Sequence, residues 1–544
     1  MRLKSLLPIL GFLVLFMGLV FAQDGNNTTF AMVAGNTSSS VDSMNQFSRH
    51  ILSGTDLDQD GKPEIIVTQY GNGGHVIIYE VQGDNTLEQV WESQNYGSSY
   101  GSPVRSLAAG KLDDNDKTDL VVYVGSTAAN DSIAGLYVYE WDGVNDNGFQ
   151  QVSWLYFAAY DSGYYKTEDM AVADFDADGT DEVAFANWGG AAYKPSRAIS
   201  IWSVTGEFSS GFYTWNREFK ATREDMGVGG SLTGAFYGDI DNDGHPECWV
   251  GVYDKLSLAV IESDGPDSYH FANYISQIDT IRDSYIIKGL VTGDMNNDGS
   301  NELFVESTYT GMTFMVTAPT GSVDDSLLVQ PAPFNLGAFT TMSLGDQDHG
   351  TGSDGMDLYS GGTSEGVIDY EYQSGPLTDT TSYTRTVIYD DSVGASWYVS
   401  VPSPNNDLDG DGNREVVAAW VGLVDSIPQN WFRVIEFGQT TGISEWKVIT
   451  PDQYVLKQNY PNPFNPTTNI EFFLPIRKQV SLTIYNALGQ KIRTLVNNQE
   501  LQAGNHVAQW DGTNEAGAKV ASGMYIYELK YGNYKLVKRM TLMK

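Results

Sequence analysis

The chain has 544 residues, with 69 Asp+Glu against 31 Lys+Arg and a formal net charge of −38. Residues 454–544 hold 11 bases and 5 acids; with these and the two bases of the first 22 residues set aside, residues 23–453 keep 18 bases against 64 acids, a net of −46. A field of that sign repels phosphate backbones and argues against nucleic acid as a partner. The single cysteine, Cys248, rules out an internal disulfide framework and is expected to be a buried small hydrophobe.

Residues 1–22 have the build of a secretory signal: Arg2 and Lys4, an apolar run over 6–20, then Val20-Phe21-Ala22 before Gln23. The run is shorter than the ~20 apolar residues that a membrane span needs. No cysteine follows the cut, against a lipoprotein anchor, and no later segment is apolar enough to span a bilayer. The mature chain is expected to be exported, soluble and not integral to a membrane. Residues 23–46, rich in Asn, Thr and Ser, are expected to be a flexible lead-in with a short strand over 29–34.

The stretch Asp56-Leu57-Asp58-Gln59-Asp60-Gly61-Lys62-Pro63-Glu64 comes next, followed at once by Ile65-Ile66-Val67. Carboxylates at positions one, three, five and nine can surround one hard cation with oxygen, and Gly at position six permits the sharp turn. The loop recurs with Asp174, Asp176, Asp178 and Glu182; with Asp239, Asp241, Asp243 and Glu247; with Asp294, Asn296, Asp298 and Glu302; and with Asp407, Asp409, Asp411 and Glu415. Two copies are worn. One has Lys111 at position one and Asp113, Asn115 and Asp119 after it; the other runs from Asp346 and Asp348 through an insertion to Asp357. The ninth-position acids are spaced 55, 63, 65, 55, 55 and 58 residues apart, so one unit is repeated seven times.

Each unit parses alike. A small-residue strand enters the loop and an apolar strand leaves it. A third strand alternates (His75-Val-Ile-Ile-Tyr-Glu80, Leu136-Tyr-Val-Tyr-Glu140, Phe432-Arg-Val-Ile-Glu436), and a fourth is amphipathic (Leu87-Glu-Gln-Val-Trp91, Ile443-Ser-Glu-Trp-Lys-Val-Ile449). Four antiparallel strands per unit, seven times, predict an all-β chain: a seven-bladed β-propeller over 47–450, in preference to a sandwich array whose sheets would lack a covering partner.

The D-x-D-x-D-G-x-x-E hairpins resemble the FG-GAP and VCBS repeats of the integrin-α-type propeller over about 47–450. The resemblance implies calcium at about five structural sites, held by the twenty residues just named at positions one, three, five and nine, with a carbonyl from position seven. Lys111 departs from the pattern, and it is expected to replace the ion as a fixed charge. Alone, any one such loop is equally an Asx-type turn without metal.

The last stretch differs in character. Tyr460-Pro-Asn-Pro-Phe-Asn-Pro466 is expected to close a Pro-rich linker, 451–466, ahead of a small β-sandwich at 467–544. From about 454 to the basic end Lys538-Arg-Met-Thr-Leu-Met-Lys544, the segment closely resembles a type A C-terminal sorting domain of the type IX secretion system. This implies that machinery as a partner and a final location outside the cell or on its surface.

No GxSxG, HExxH or phosphate-cradling loop occurs, and none of the six histidines sits in a metal or triad pattern. A non-catalytic binding or adhesion module is therefore expected, with a propeller-type polysaccharide lyase or glycoside hydrolase as the alternative. The loops opposite the metal rim carry Tyr70, Tyr100, Tyr164, Trp188, Tyr253, Tyr309, Trp397 and Trp420, candidates for holding a glycan or a surface protein. Taken singly, each is as readily an aromatic that caps a sheet end.

Overall fold

The computed structural model describes residues 50–543 apart from 70–73, 84, 98–102, 127–131, 161–164, 188–196, 280–286, 288, 308–309, 337–340, 346–355, 363–365, 390–393, 404–405, 425–426 and 438–446. The signal segment, the lead-in with its short strand, and most of the expanded sixth loop lie outside the described residues.

The first unit shows how the pattern becomes structure. Strands Ile51–Thr55, Glu64–Gln69, His75–Gly83 and Thr86–Glu92 form an antiparallel meander, with Ile51 opposite Val67 and Ile66 opposite Ile78. Glu64–Gln69 is buried almost end to end because both faces of its sheet are covered. Ile65 and Val67 pack with Val417, Ala419 and Phe432 of the last unit, while Ile66 packs with Leu107, Leu120 and Val122 of the next. A strand covered on both faces has no solvent side to keep polar, so its sequence reads as a continuous apolar run.

Five further four-stranded antiparallel sheets follow, from Val104–Gly110 through to Tyr383–Tyr389. Apolar clusters lie between each sheet and the next, and one more joins the last unit to the first. The architecture is all-β and propeller-like. Cys248 is buried in one of these clusters, as expected.

The last unit departs from the reading. Among the described residues it has three strands, Gly394–Ser400, Arg414–Val424 and Ile427–Phe437. The expected fourth strand goes elsewhere: Lys447–Ile449 pairs in parallel with Thr86–Glu92, as a fifth strand on the first unit. A parallel partner needs no hairpin, only a chain end delivered to an open edge.

The C-terminal residues form two sheets. Val455–Leu456, Thr468–Leu474 and Gly504–Trp510 make one; Lys491–Leu501, Lys478–Asn486, Gly523–Tyr531 and Tyr534–Leu542 make the other. Between them lies a core that includes Ile470, Leu482, Trp510 and Tyr527. The Pro-rich stretch is built into this unit and does not act as a linker. It supplies Val455–Leu456, buries Phe464 at 2% exposure, and pairs Phe464 with Leu542. Its aromatic and aliphatic side chains are what the core draws in; Pro merely lacks an N–H to contribute. Among the described residues no helix is long and apolar enough to cross a membrane.

Candidate metal centre

Each acidic loop lies between the first and second strands of its unit, and five of them share one backbone. The fourth position takes positive φ (Gln59 59°, Ala177 55°, Asn242 60°, Asn297 56°, Gly410 76°), as does the sixth-position Gly, from 88° to 99°. A Cβ at Gly61, Gly179, Gly244, Gly299 or Gly412 would meet nothing within 4 Å, so the φ angle and not crowding demands glycine there.

The first-position Asp holds the turn. Its Oδ2 accepts the sixth-position N–H at 3.0 Å (Asp56), 3.1 Å (Asp174 and Asp239), 2.7 Å (Asp294) and 3.0 Å (Asp407). The fifth-position Asp accepts the seventh-position N–H at 2.8–2.9 Å in all five loops. The second-position side chains Leu57, Phe175, Ile240, Met295 and Leu408, with Leu112 of the worn second loop, are buried pegs. Each stabilises its loop by about 1.5–3 kcal/mol through burial.

The ninth-position acid returns over this peg. One oxygen accepts the second-position N–H, at 2.7 Å for Glu64, 2.9 Å for Glu182, 3.2 Å for Glu247 and Glu302, and 2.6 Å for Glu415. The other oxygen of Glu64, Glu182, Glu247 and Glu415 is buried with no hydrogen-bond partner, and so are Asp58 Oδ1, Asp239 Oδ1 and Asp241 Oδ1. Burial, aided by the neighbouring aspartates, pushes Glu182 and Glu415 up to about 9, Glu247 to about 10 and Glu302 to about 7. Burial likewise raises Asp58 to about 6. An orphaned carboxylate oxygen is costly unless something positive meets it. Ligand oxygens of Asp407, Asp409, Asp411 and Glu415 lie within 4.8 Å of one another, as do those of Asp56, Asp58 and Glu64, and of Asp174, Asp176 and Asp178. The donors are all hard oxygens in a pliable loop, which suits Ca²⁺.

The second loop has a different solution from the one expected. Lys111 is exposed, and its backbone pairs with Asp181 of the third loop. The ammonium near the acids belongs to Lys117, whose Nζ stands 2.5 Å from Glu140 Oε1 and 2.9 Å from the Trp141 carbonyl. Lys62 in the first loop reaches Glu80 in the same way, at 3.0 Å. These third-strand glutamates were not singled out from the sequence. Glu80 pairs with Glu64 across the strands, Glu371 with Asp357, and Glu436 with Glu415. The signal for them was present: several alternating third strands end on Glu.

Of the aromatic candidates, Tyr253 is half-buried. Tyr70, Tyr100, Tyr164, Trp188 and Tyr309 lie outside the described residues. Trp397 and Trp420 belong to strands Gly394–Ser400 and Arg414–Val424, not to loops, with their side chains outside the described residues. Among the described residues the exposed aromatics include Phe212, Tyr237 and Tyr460, and also Trp154 (40% exposed), stacked 5.5 Å from Tyr137, and Tyr160 (48%) against Trp202. Strand alternation turned Trp154 outward, a signal the sequence offered. His50 Nε2 lies 3.3 Å from Asp169 Oδ1 in a cavity lined by Thr341 and by Phe236, Leu290 and Val399 from the first strands of three units.

Residues 56–122 match the FG-GAP-like repeat family, and residues 468–534 match the FlgD Ig-like domain, a family other than the sorting domains. No curated protein matches the chain. Among solved structures it is similar to the Chaetomium thermophilum polycomb repressive complex 2, at 9% identity over 76% of this chain and 98% of that one, with a TM-score of 0.47. It is also similar to Sqt1 from Chaetomium thermophilum (12% identity, 76% of this chain, 100% of that one, TM-score 0.44). A third is PorZ, a bacterial surface component of the type-IX secretion system of Porphyromonas gingivalis (12%, 91%, 81%, TM-score 0.26).

Proposed function

We propose that the chain is an exported, calcium-stabilised seven-bladed β-propeller followed by a C-terminal β-sandwich, working as a non-catalytic binding or adhesion module for a glycan or surface protein. One observation carries the calcium reading: in four loops a buried ninth-position carboxylate keeps one oxygen without a partner, and in two of these, at Glu64 and Glu415, it gathers with two or three further acids. Asp56, Asp58, Asp60 and Glu64, and their equivalents in the loops at 174–182, 239–247, 294–302 and 407–415, would hold the ion. Bound there, calcium supplies the positive charge that lets these acids ionise together.

At roughly 1 mM calcium and an affinity of about 10⁻⁴–10⁻³ M, each site adds about 0.4–1.4 kcal/mol, so five together add several. Calorimetric titration of the full chain with calcium tests the reading. The expected result is uptake of about five ions per chain and a melting temperature that falls in chelator; no uptake and an unchanged melt would end it.

Export through the type IX route, with 467–544 as the sorting unit, is supported by the YPNPFNP stretch and the basic terminal motif. Deleting the terminal segment 538–544 should keep the protein in the periplasm of a host that has that machinery. Unchanged delivery to the surface would remove the export reading. The exposed Trp154 is the first residue to replace in a glycan-binding screen.

A further inference from the structure

The third-position aspartates do more than face their own loops. Asp58 Oδ2 accepts the backbone N–H of Asn147 at 2.7 Å, Asp113 Oδ2 that of Phe208 at 2.7 Å, and Asp176 Oδ2 that of Asp267 at 2.6 Å. Asp241 Oδ2 accepts from Val323 at 3.2 Å, and Asp409 Oδ2 from Asn85 at 2.8 Å. Every donor sits in the turn between the third and fourth strands of the following blade, and the last bond runs from the seventh blade to the first. Meanwhile Oδ1 stays with its own loop. In Asp113, Asp176 and Asp409 it accepts the fifth-position N–H, at 3.2, 3.2 and 3.3 Å, and in Asp58 and Asp241 it is buried without a partner.

We infer that these aspartates join calcium occupancy to blade-to-blade attachment: one oxygen serves the ion site and the other clasps the next blade, so filling a loop locks the blade that follows it. The inference rests on the calcium reading. Its physical basis is that carboxylates crowded into one loop repel each other. Without a cation they separate by rotating their side chains, and for the third-position Asp that rotation breaks the bond to the neighbour. Ring closure is the most exposed to this effect, because Asp409 and Asn85 tie together units far apart in sequence.

Two loops act as internal controls. The second keeps its clasp from Asp113 to Phe208 although Lys111 has replaced its first acid, and that lost acid sets it apart, since Lys62 and Glu80 of the first loop repeat its Lys117–Glu140 pair. Its clasp should not depend on calcium. The fifth loop has Asn296 at position three; this side chain donates to Asp298 Oδ2 at 2.9 Å, and no clasp from it occurs among the described residues.

Amide hydrogen exchange of the full chain, with calcium and with chelator, tests this alongside a calorimetric calcium titration. Chelation should speed exchange at Asn85, Asn147, Asp267 and Val323 by about tenfold or more, with Phe208 unchanged. Asp113→Ala should speed exchange at Phe208 with or without calcium. Calcium uptake with no change at the four amides, or with Phe208 accelerating alongside them, overturns the inference alone. No uptake at all overturns both it and the calcium reading.

Discussion

Lys478 Nζ stands 2.9 Å from Glu88 Oε2, with 8% and 4% of the two side chains exposed, so a buried ion pair ties the C-terminal unit to the outer strand of the first. Asp146 Oδ2 lies 3.4 Å from the same ammonium, and the Tyr454 hydroxyl bonds Glu88 Oε1. Tyr454 in turn stacks on Tyr531 at 4.0 Å. The two parts of the chain are thereby joined by a buried ion pair and by the Tyr454 hydroxyl on Glu88.

Removing one partner of such a pair leaves the other charge buried and uncompensated, which costs about 3–5 kcal/mol. Lys478→Met is expected to lose that much stability in urea denaturation, and Lys478→Met with Glu88→Gln to recover part of it. A loss below about 1 kcal/mol for the single variant would mean that the pair is wet in solution.

Lys117 is expected to matter more than Lys111, although the motif points to Lys111. Lys117→Met strips the buried Glu140 carboxylate of its ammonium and should destabilise by about 1–3 kcal/mol. Lys111→Met, at an exposed position, should stay within about 0.5 kcal/mol. The comparison needs only two denaturation curves.

Gly179→Ala tests the shared backbone. The position has φ of 99° and open space around it, so strain alone is added, at about 1–2 kcal/mol. Thermal melting with calcium present should show the loss. A neutral result would mean that the loop can relax without its turn.

His270 makes a pH prediction with a definite sign. Its Nδ1 lies 3.1 Å from Asp264 Oδ1 and its Nε2 2.9 Å from Asp324 Oδ1, and Glu262 adds to the field. Burial opposes the charged ring, but these carboxylates outweigh it and raise the imidazole above 6.5. The contribution to stability is therefore fully present below pH 6.5 and fades as pH rises through the higher folded value. The melting-temperature difference between wild type and His270→Gln should shrink from pH 6 to pH 8.5, whereas a constant difference would show that the ring acts by packing.

Much of this molecule could be read in advance from short-range pattern. Asp-x-Asp-x-Asp-Gly dictates its own turn because its first and last carboxylates bond N–H groups two to five residues away, as Asp56 does with Asp60 and Gly61, and Asp60 with Lys62. The second-position pegs and the apolar exit strands follow from burial on both faces. Other features could not be read so directly. Asp58 meets Asn147 eighty-nine positions later, Lys447–Ile449 leaves its own unit for the first, and Phe464 draws a proline-rich stretch into a core.

Sequence alone determined the all-β character, the repeat, the loops and the acids within them, since these depend on contacts within a few residues along the chain. Tertiary structure decided which oxygen of each third-position acid faces its loop and which faces a neighbour, where the last strand pairs, and that Lys62, Lys117 and Lys478 each meet a buried acid. Those outcomes depend on what folding brings within about 3 Å from far along the chain, and no local spacing encodes such a meeting.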